Sequence, residues 1–226
     1  MNSESKSSIT FCFLLFWTFC FLNGFFNPQL SKNTTLFVTV EIIFWVILPL
    51  FTLIHLTYNL KIFSFSDLGF NSKLFKSNSY FFVIIFSLIF AFFVQLIYFT
   101  TYSLLSSIFT TNYFKNFEIQ STIPKDFETG VAVSLYYALT AGFVEEIYYR
   151  AFIAKIFEIN FTLNINYILI SSTLFSLNHW EGGIINLIDT FLYGLLFSIF
   201  YNKFKNIWPL IIAHSITDII AFFPLF

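Results

Sequence analysis

The chain has 226 residues, of which 58% are hydrophobic and 10% charged, with a formal net charge of -1; soluble globular domains carry charge on about a quarter of their residues. Its lysines are thinly spread, whereas a phosphate-binding surface needs clustered Lys and Arg, so a nucleic-acid partner is excluded. The composition is that of an integral membrane protein.

Apolar runs of membrane-span length fall near residues 9–27, 36–58, 80–105, 130–157, 164–180, 183–201 and 206–225. They predict an all-α, polytopic transmembrane helix bundle of about seven spans, forming a single integral membrane domain over 1–226. The first run follows Lys6 but ends in the bulky FLNGFFNPQ, without a small-x-small cleavage pattern, and reads as a retained span rather than a signal peptide. Cys12 and Cys20 both lie in this run. Eight residues of helix put them roughly 12 Å apart, too far for a disulfide within one helix.

The polar stretches between the runs are short and read as loops; no internal repeat is present. Counted on alternate sides, Lys6, Lys61, Lys73, Lys76, Lys155, Lys203 and Lys205 fall together, opposite Lys32, Lys115 and Lys125. By the positive-inside rule the N-terminus is cytoplasmic and the C-terminus outside. Trp180 and Trp208 come at span ends, where indole rings favour the headgroup layer.

Ionisable groups inside spans are costly and make a functional site the default expectation. Here they are Glu41, His55, Glu145, Glu146, Arg150, His179, Asp189, His214 and Asp218. In EEIYYR, Glu146 and the sole arginine, Arg150, are four apart on one helix face and can neutralise each other. Glu145 is rotated about 100° away, has no cation on its own helix, and is a candidate general base. A structural ion pair near a helix end would also explain this segment. FSLNH places Phe175 and His179 on one face at the end of the fifth run, and HSITD places His214 and Asp218 one turn apart in the last. Each also has a plain structural reading, as an interfacial histidine and a buried hydrogen bond. The case rests on the combination of three motifs in order on successive helices. At a rise of about 1.5 Å per residue, Glu145, His179 and His214 lie roughly 18, 22 and 12 Å from the inner ends of their spans, so helix tilt must bring them into one layer.

Together these motifs resemble the CPBP family of intramembrane proteases, also called the Abi or CAAX protease-like family, which includes the CAAX prenyl endopeptidases. Its pattern is Glu-Glu-x-x-x-Arg, then Phe-x-x-x-His, then His-x-x-x-Asn or Asp, each on a transmembrane helix. Residues 130–220 carry the resemblance, and FSFSDLGF between the second and third runs looks like a further family feature. The resemblance implies hydrolysis of a peptide bond in a membrane-associated or prenylated protein or peptide. Glu145 and His179 would activate water, and His214 with residue 218 would stabilise the oxyanion. Glu146 and Arg150 would hold the geometry, and Phe175 would pack. Residue 218 is Asp, and an ionised carboxylate cannot donate to an oxyanion, so Asp218 is expected to orient His214 or to ligate a metal.

Two imidazoles and a carboxylate, His179, His214 and Asp218, beside a separate Glu, form the ligand set of a catalytic zinc site with an open position. A metal-free glutamate mechanism uses the same residues. The implied partners are the lipid bilayer and a membrane-associated substrate, and the short chain suits a bacterial plasma membrane. A reading of a different class is bacteriocin self-immunity or a membrane interaction protein, which gene neighbourhood would discriminate. A third, a proton-coupled carrier, is motivated by Glu41, His55 and Asp189 but lacks an inverted repeat and paired Gly or Pro breaks. Glu41 and His55, near opposite ends of the second run, read as interfacial, and Asp189 as a partner to the site.

Overall fold

A computed structural model describes residues 3–71, 79–109, 113, 115–158 and 163–222. Lys73 and Lys76, two of the lysines used to orient the chain, lie outside them. Among the described residues the seven apolar runs form seven helices and no strand: α1 (Ser3–Leu30), α2 (Thr35–Asn59), α3 (Tyr80–Ile108), α4 (Phe127–Ile156), α5 (Ile165–Leu177), α6 (Gly183–Phe204) and α7 (Trp208–Phe222). The all-α polytopic bundle expected from the sequence is the observed architecture.

The seven runs are not equal. Five segments, α1 to α4 and α6 with the turn before it, are long and apolar enough to cross a membrane, whereas α5 has only 13 residues and α7 has 15 among the described residues. At about 1.5 Å per residue α5 reaches roughly 20 Å, short of a hydrocarbon core of about 30 Å. The cause in α5 is local. Asn178, His179 and the Glu-Gly-Gly that follows Trp180 break the helix, and Gly183 takes a positive φ of 89° as the chain turns into α6.

Helix starts follow their caps. Asn33, Asp126 and Asn164 each accept a backbone N–H from the first turn of α2, α4 and α5, satisfying donors that a helix N-terminus leaves unpaired. Within α2, Pro49 has no N–H to give, and the preceding turn, Ile43–Ile47, winds as a wider π-helix.

The FSFSDLGF stretch is a clamp. Ser64 and Asp67 form a reciprocal cap on a short 3-10 turn, with Ser64 donating from backbone N at 2.8 Å and from its hydroxyl at 2.7 Å. These bonds, the backbone one foremost, hold the Asp67 carboxyl below the usual carboxylate range. Gly69 then turns with φ 90°, and its carbonyl accepts the Ile207 N–H at 3.1 Å. Tyr201 donates to the Leu68 carbonyl at 3.1 Å, and Asn206 to that of Asn71 at 2.9 Å. The α2–α3 loop thereby fixes the turn between α6 and α7, and with it where α7 enters the bundle.

The core sits where α4 to α7 pack, with α1 laid against α4 and α3 along α6 and α7. The tightest crossing is between α4 and α7 at Gly142. A Cβ there would collide with the Ser215 hydroxyl and stand 3.1 Å from both the Ile211 carbonyl and the Ser215 nitrogen. Small residues at such crossings let two backbones approach closely. Trp180 and Trp208 do lie at helix ends, but both are half-buried against protein rather than freely presented to a headgroup layer: Trp180 donates to the Phe21 carbonyl at 3.2 Å, and Trp208 packs edge-on against Phe70. Cys12 and Cys20 are both free thiols.

Gly142→Ala is expected to destabilise the bundle by about 1–3 kcal/mol, the usual range for overpacking. Ser215→Ala in the same chain should recover part of that loss, measured as thermal unfolding in detergent; an unchanged Tm in Gly142→Ala would refute the close crossing.

Candidate active site

The EEIYYR motif begins in one kind of helix and ends in another. The α-helical part of α4 stops at Glu145, and Glu146–Phe152 winds as a π-helix with i→i+5 bonds. Such turns are often found at functional sites, and neighbours meet this one closely. The Tyr149 carbonyl accepts the Ser171 hydroxyl at 2.7 Å, and the Arg150 carbonyl that of Tyr167 at 3.4 Å. Ser171 in turn contacts the Ser198 hydroxyl at 2.8 Å, so α5 and α6 are tied to the wide turn through one buried hydroxyl pair. On the other side Phe16 lies 4.0 Å from Tyr148 by ring centroid, and Thr52 bonds the Tyr148 hydroxyl.

Both glutamates meet the same imidazole. Glu146 and Arg150 have no exposed surface, and Arg150 Nε stands 3.2 Å from Glu146 Oε2. The other Glu146 oxygen is 2.8 Å from His214 Nδ1. An ionised carboxylate can only accept, which assigns the His214 proton to Nδ1. His214 Nε2 then faces Glu145 Oε2 and Asp218 Oδ2, each at 3.6 Å. Glu146 therefore does more than neutralise Arg150: it fixes the ring of His214, the part the sequence reading had given to Asp218. Asp218 stands at the opposite nitrogen.

His179 is positioned differently from expectation. It lies beyond the end of α5, in the turn leading to Trp180, rather than on a membrane helix. Its Nδ1 is 2.8 Å from the Phe175 carbonyl, an acceptor only, so the proton again sits on Nδ1 and the Nε2 lone pair is left for chemistry. Phe175 packs as expected. It is 2% exposed, its ring lies 4.6 Å from that of His179, and the Arg150 guanidinium stands over it at 4.6 Å. Tyr193, Phe197 and Phe175 enclose His214 edge-on at 5.4 to 6.1 Å.

Glu145, His179, His214 and Asp218 all line one cavity of about 480 Å³. The sequence reading missed Asn178, which lines this cavity and donates to the Tyr149 hydroxyl. It also missed Glu181, because a loop acid beside two glycines gave no signal. Glu41 was read as interfacial, yet it is only 6% exposed and lines the same cavity. His55 stacks on Phe51 and contacts Asn59 at 3.3 Å, and does not line it. Asp189, expected to support the site, instead accepts from Thr101 of α3 and is absent from the cavity wall.

Among the described residues no three His, Cys, Asp or Glu side chains are grouped to hold a metal ion. His179, His214 and Asp218, the set expected to ligate zinc, line one cavity. One nitrogen of each imidazole is committed, His214 Nδ1 to Glu146 and His179 Nδ1 to the Phe175 carbonyl, which leaves each Nε2 for a proton or a metal, as metal-ligating histidines are commonly held.

Fold and site together define an all-α membrane-helix bundle with a buried cluster of carboxylates and imidazoles. Residues 127–220, less than half of the chain but including all three motifs, match the family model described as Rce1-like, type II CAAX prenyl endopeptidase Rce1-like. The match agrees with the resemblance carried by the motifs and indicates a protease at the level of the family. No curated protein and no solved structure matched the chain.

Glu146→Gln leaves a fully buried guanidinium without its counter-charge and is expected to cost about 3–5 kcal/mol of stability. Glu145→Gln removes no such partner and should lower Tm far less. Differential scanning fluorimetry of the two variants checks the order, and equal losses would contradict the separate roles.

Proposed function

We infer that the protein is an intramembrane endopeptidase acting on a membrane-associated or prenylated protein or peptide. The observation that carries this reading is the shared buried cavity, where Glu145 lies beside His214 and His179 keeps an unprotonated Nε2. Water entering the cavity is held between Glu145 and His179. One of them takes its proton as the oxygen attacks the scissile carbonyl, and that proton is later delivered to the leaving amine. His214, with Nδ1–H committed to Glu146 and carboxylates of Glu145 and Asp218 offsetting its charge when doubly protonated, donates Nε2–H to the developing oxyanion. Asp218, 3.6 Å from Nε2, acts as a counter-charge to His214 and does not itself donate. Glu146 and Arg150 keep the ring in place.

No step is routed through a metal. The alternative role, self-immunity or interaction without proteolysis, draws on no particular feature of the cavity.

Purified protein in proteoliposomes is expected to cleave members of a panel of prenylated CAAX peptides and transmembrane segments. Glu145→Gln should lower kcat by about 10²–10⁴-fold, the usual share of a general base; undiminished cleavage would remove Glu145 from its role. With the steps assigned to side chains alone, cleavage should persist in a strong chelator. Loss of activity that added zinc restores would reassign the water to a metal.

A further inference from the structure

The catalytic cluster occupies only part of the cavity wall. Glu41 of α2 and Glu181 of the α5–α6 turn line the same space, and Cys20 of α1 lies within electrostatic reach of Glu145, Glu41 and Glu181 alike. Glu181 is anchored: both its carboxylate oxygens accept from Asn27 Nδ2, at 3.0 and 3.3 Å. Glu41 is not anchored. It is 94% buried by residue surface (6% exposed), faces the cavity, and has neither a hydrogen-bond partner nor a cation among the described residues. Its carboxylate neighbour is Glu181, another acid, and the other groups in electrostatic reach, Cys20, Tyr136 and Tyr137, bring no cation. A buried carboxylate is costly unless a cation or donor pairs with it, and otherwise takes up a proton; a cation entering the cavity supplies the pairing that the described residues do not.

We propose that Glu41, with Glu181 across from it, is a specificity-determining site that holds the cationic side chain of a lysine or arginine in the substrate segment next to the scissile bond. This rests on the endopeptidase reading and extends it to substrate choice. The ammonium or guanidinium leaves the headgroup layer and enters the cavity, where the Glu41 carboxylate accepts its hydrogen bonds. Asn27 holds Glu181 so that it adds charge without moving. Selection then favours a basic residue at one fixed distance from the cleaved bond, because the cation and the carbonyl must reach different residues of one cavity wall.

The test scans Lys, Gln and Glu through each position flanking the cleavage site of a cleaved peptide from the panel. The wild type is expected to prefer Lys over Gln in kcat/KM by at least about tenfold at one position, the scale of a hydrogen bond to a charged group. Glu41→Gln, whose amide is nearly isosteric with the acid, should bring that ratio close to one, with Tm and elution profile confirming the fold. Glu128→Gln, which alters an exposed acid outside the cavity, should keep the preference. Absence of any basic preference in the wild type, or its survival in Glu41→Gln, overturns the proposal and leaves the endopeptidase reading intact. If no peptide is cleaved, binding of the fluorescent Lys and Gln peptides to Glu145→Gln and to Glu145→Gln/Glu41→Gln decides. Tighter binding of Lys that disappears with Glu41 upholds the cation site although the protease reading fails; equal binding overturns it.

Discussion

A guanidinium taken fully out of water must have a carboxylate, and here Arg150 has Glu146 at 3.2 Å. In a bundle with so few charges, that ion pair constrains everything around it. Its second oxygen is free to hold His214, so the charge pair that makes Arg150 tolerable also fixes an imidazole from another helix. Aromatic rings complete the enclosure, with Phe175 and Phe197 beneath the guanidinium at 4.6 and 5.7 Å. Removal of either charged partner would leave the other buried and unpaired, which costs more than an intact pair contributes.

The backbone adapts to this pair rather than the reverse. A regular α-helix turns successive residues by about 100°, which would direct Glu145 and Glu146 to different surroundings. Both nonetheless reach His214, at opposite ring nitrogens, and hydroxyls of Ser171 and Tyr167 meet the carbonyls of the π-helical stretch that starts at Glu146. The α4–α7 crossing has to be close for His214 to arrive at all, and Gly142 permits it by having no side chain against Ser215. The loop that carries Asp67 and Gly69 sets the start of α7 from the other end. Distant features of the fold therefore converge on the placement of one histidine.

The cavity that results is lined mainly by aromatic and apolar side chains, and Glu41 and Glu181 share its wall with Glu145, His179, His214 and Asp218. An enclosure of this kind concentrates both water and cationic groups in a setting where the bilayer offers neither. The short helix α5 contributes to it, because a chain that turns inside the bundle at His179 leaves polar backbone facing a cavity, which a membrane protein tolerates only where protein or water covers it.

Composition and hydropathy by themselves determined the class, an all-α membrane bundle, because apolar runs of span length have few other stable forms. Spacing determined which residues matter on each helix: Glu146 with Arg150, Phe175 with His179, and His214 with Asp218 are pairs four apart, and local periodicity brings each pair together. What only the tertiary structure decided is how those pairs meet. The period of 3.6 residues cannot announce a π-turn, so the sequence separated Glu145 from Glu146, whereas both bracket His214. Hydropathy averaged over a window could not see α5 stop before His179, nor tell that Glu41 points into the bundle while His55 does not line the cavity. Burial and partner choice depend on which helices cross and how closely. That is set by contacts between residues far apart in the chain, such as Gly142 with Ser215 and Gly69 with Ile207, and no local pattern encodes them.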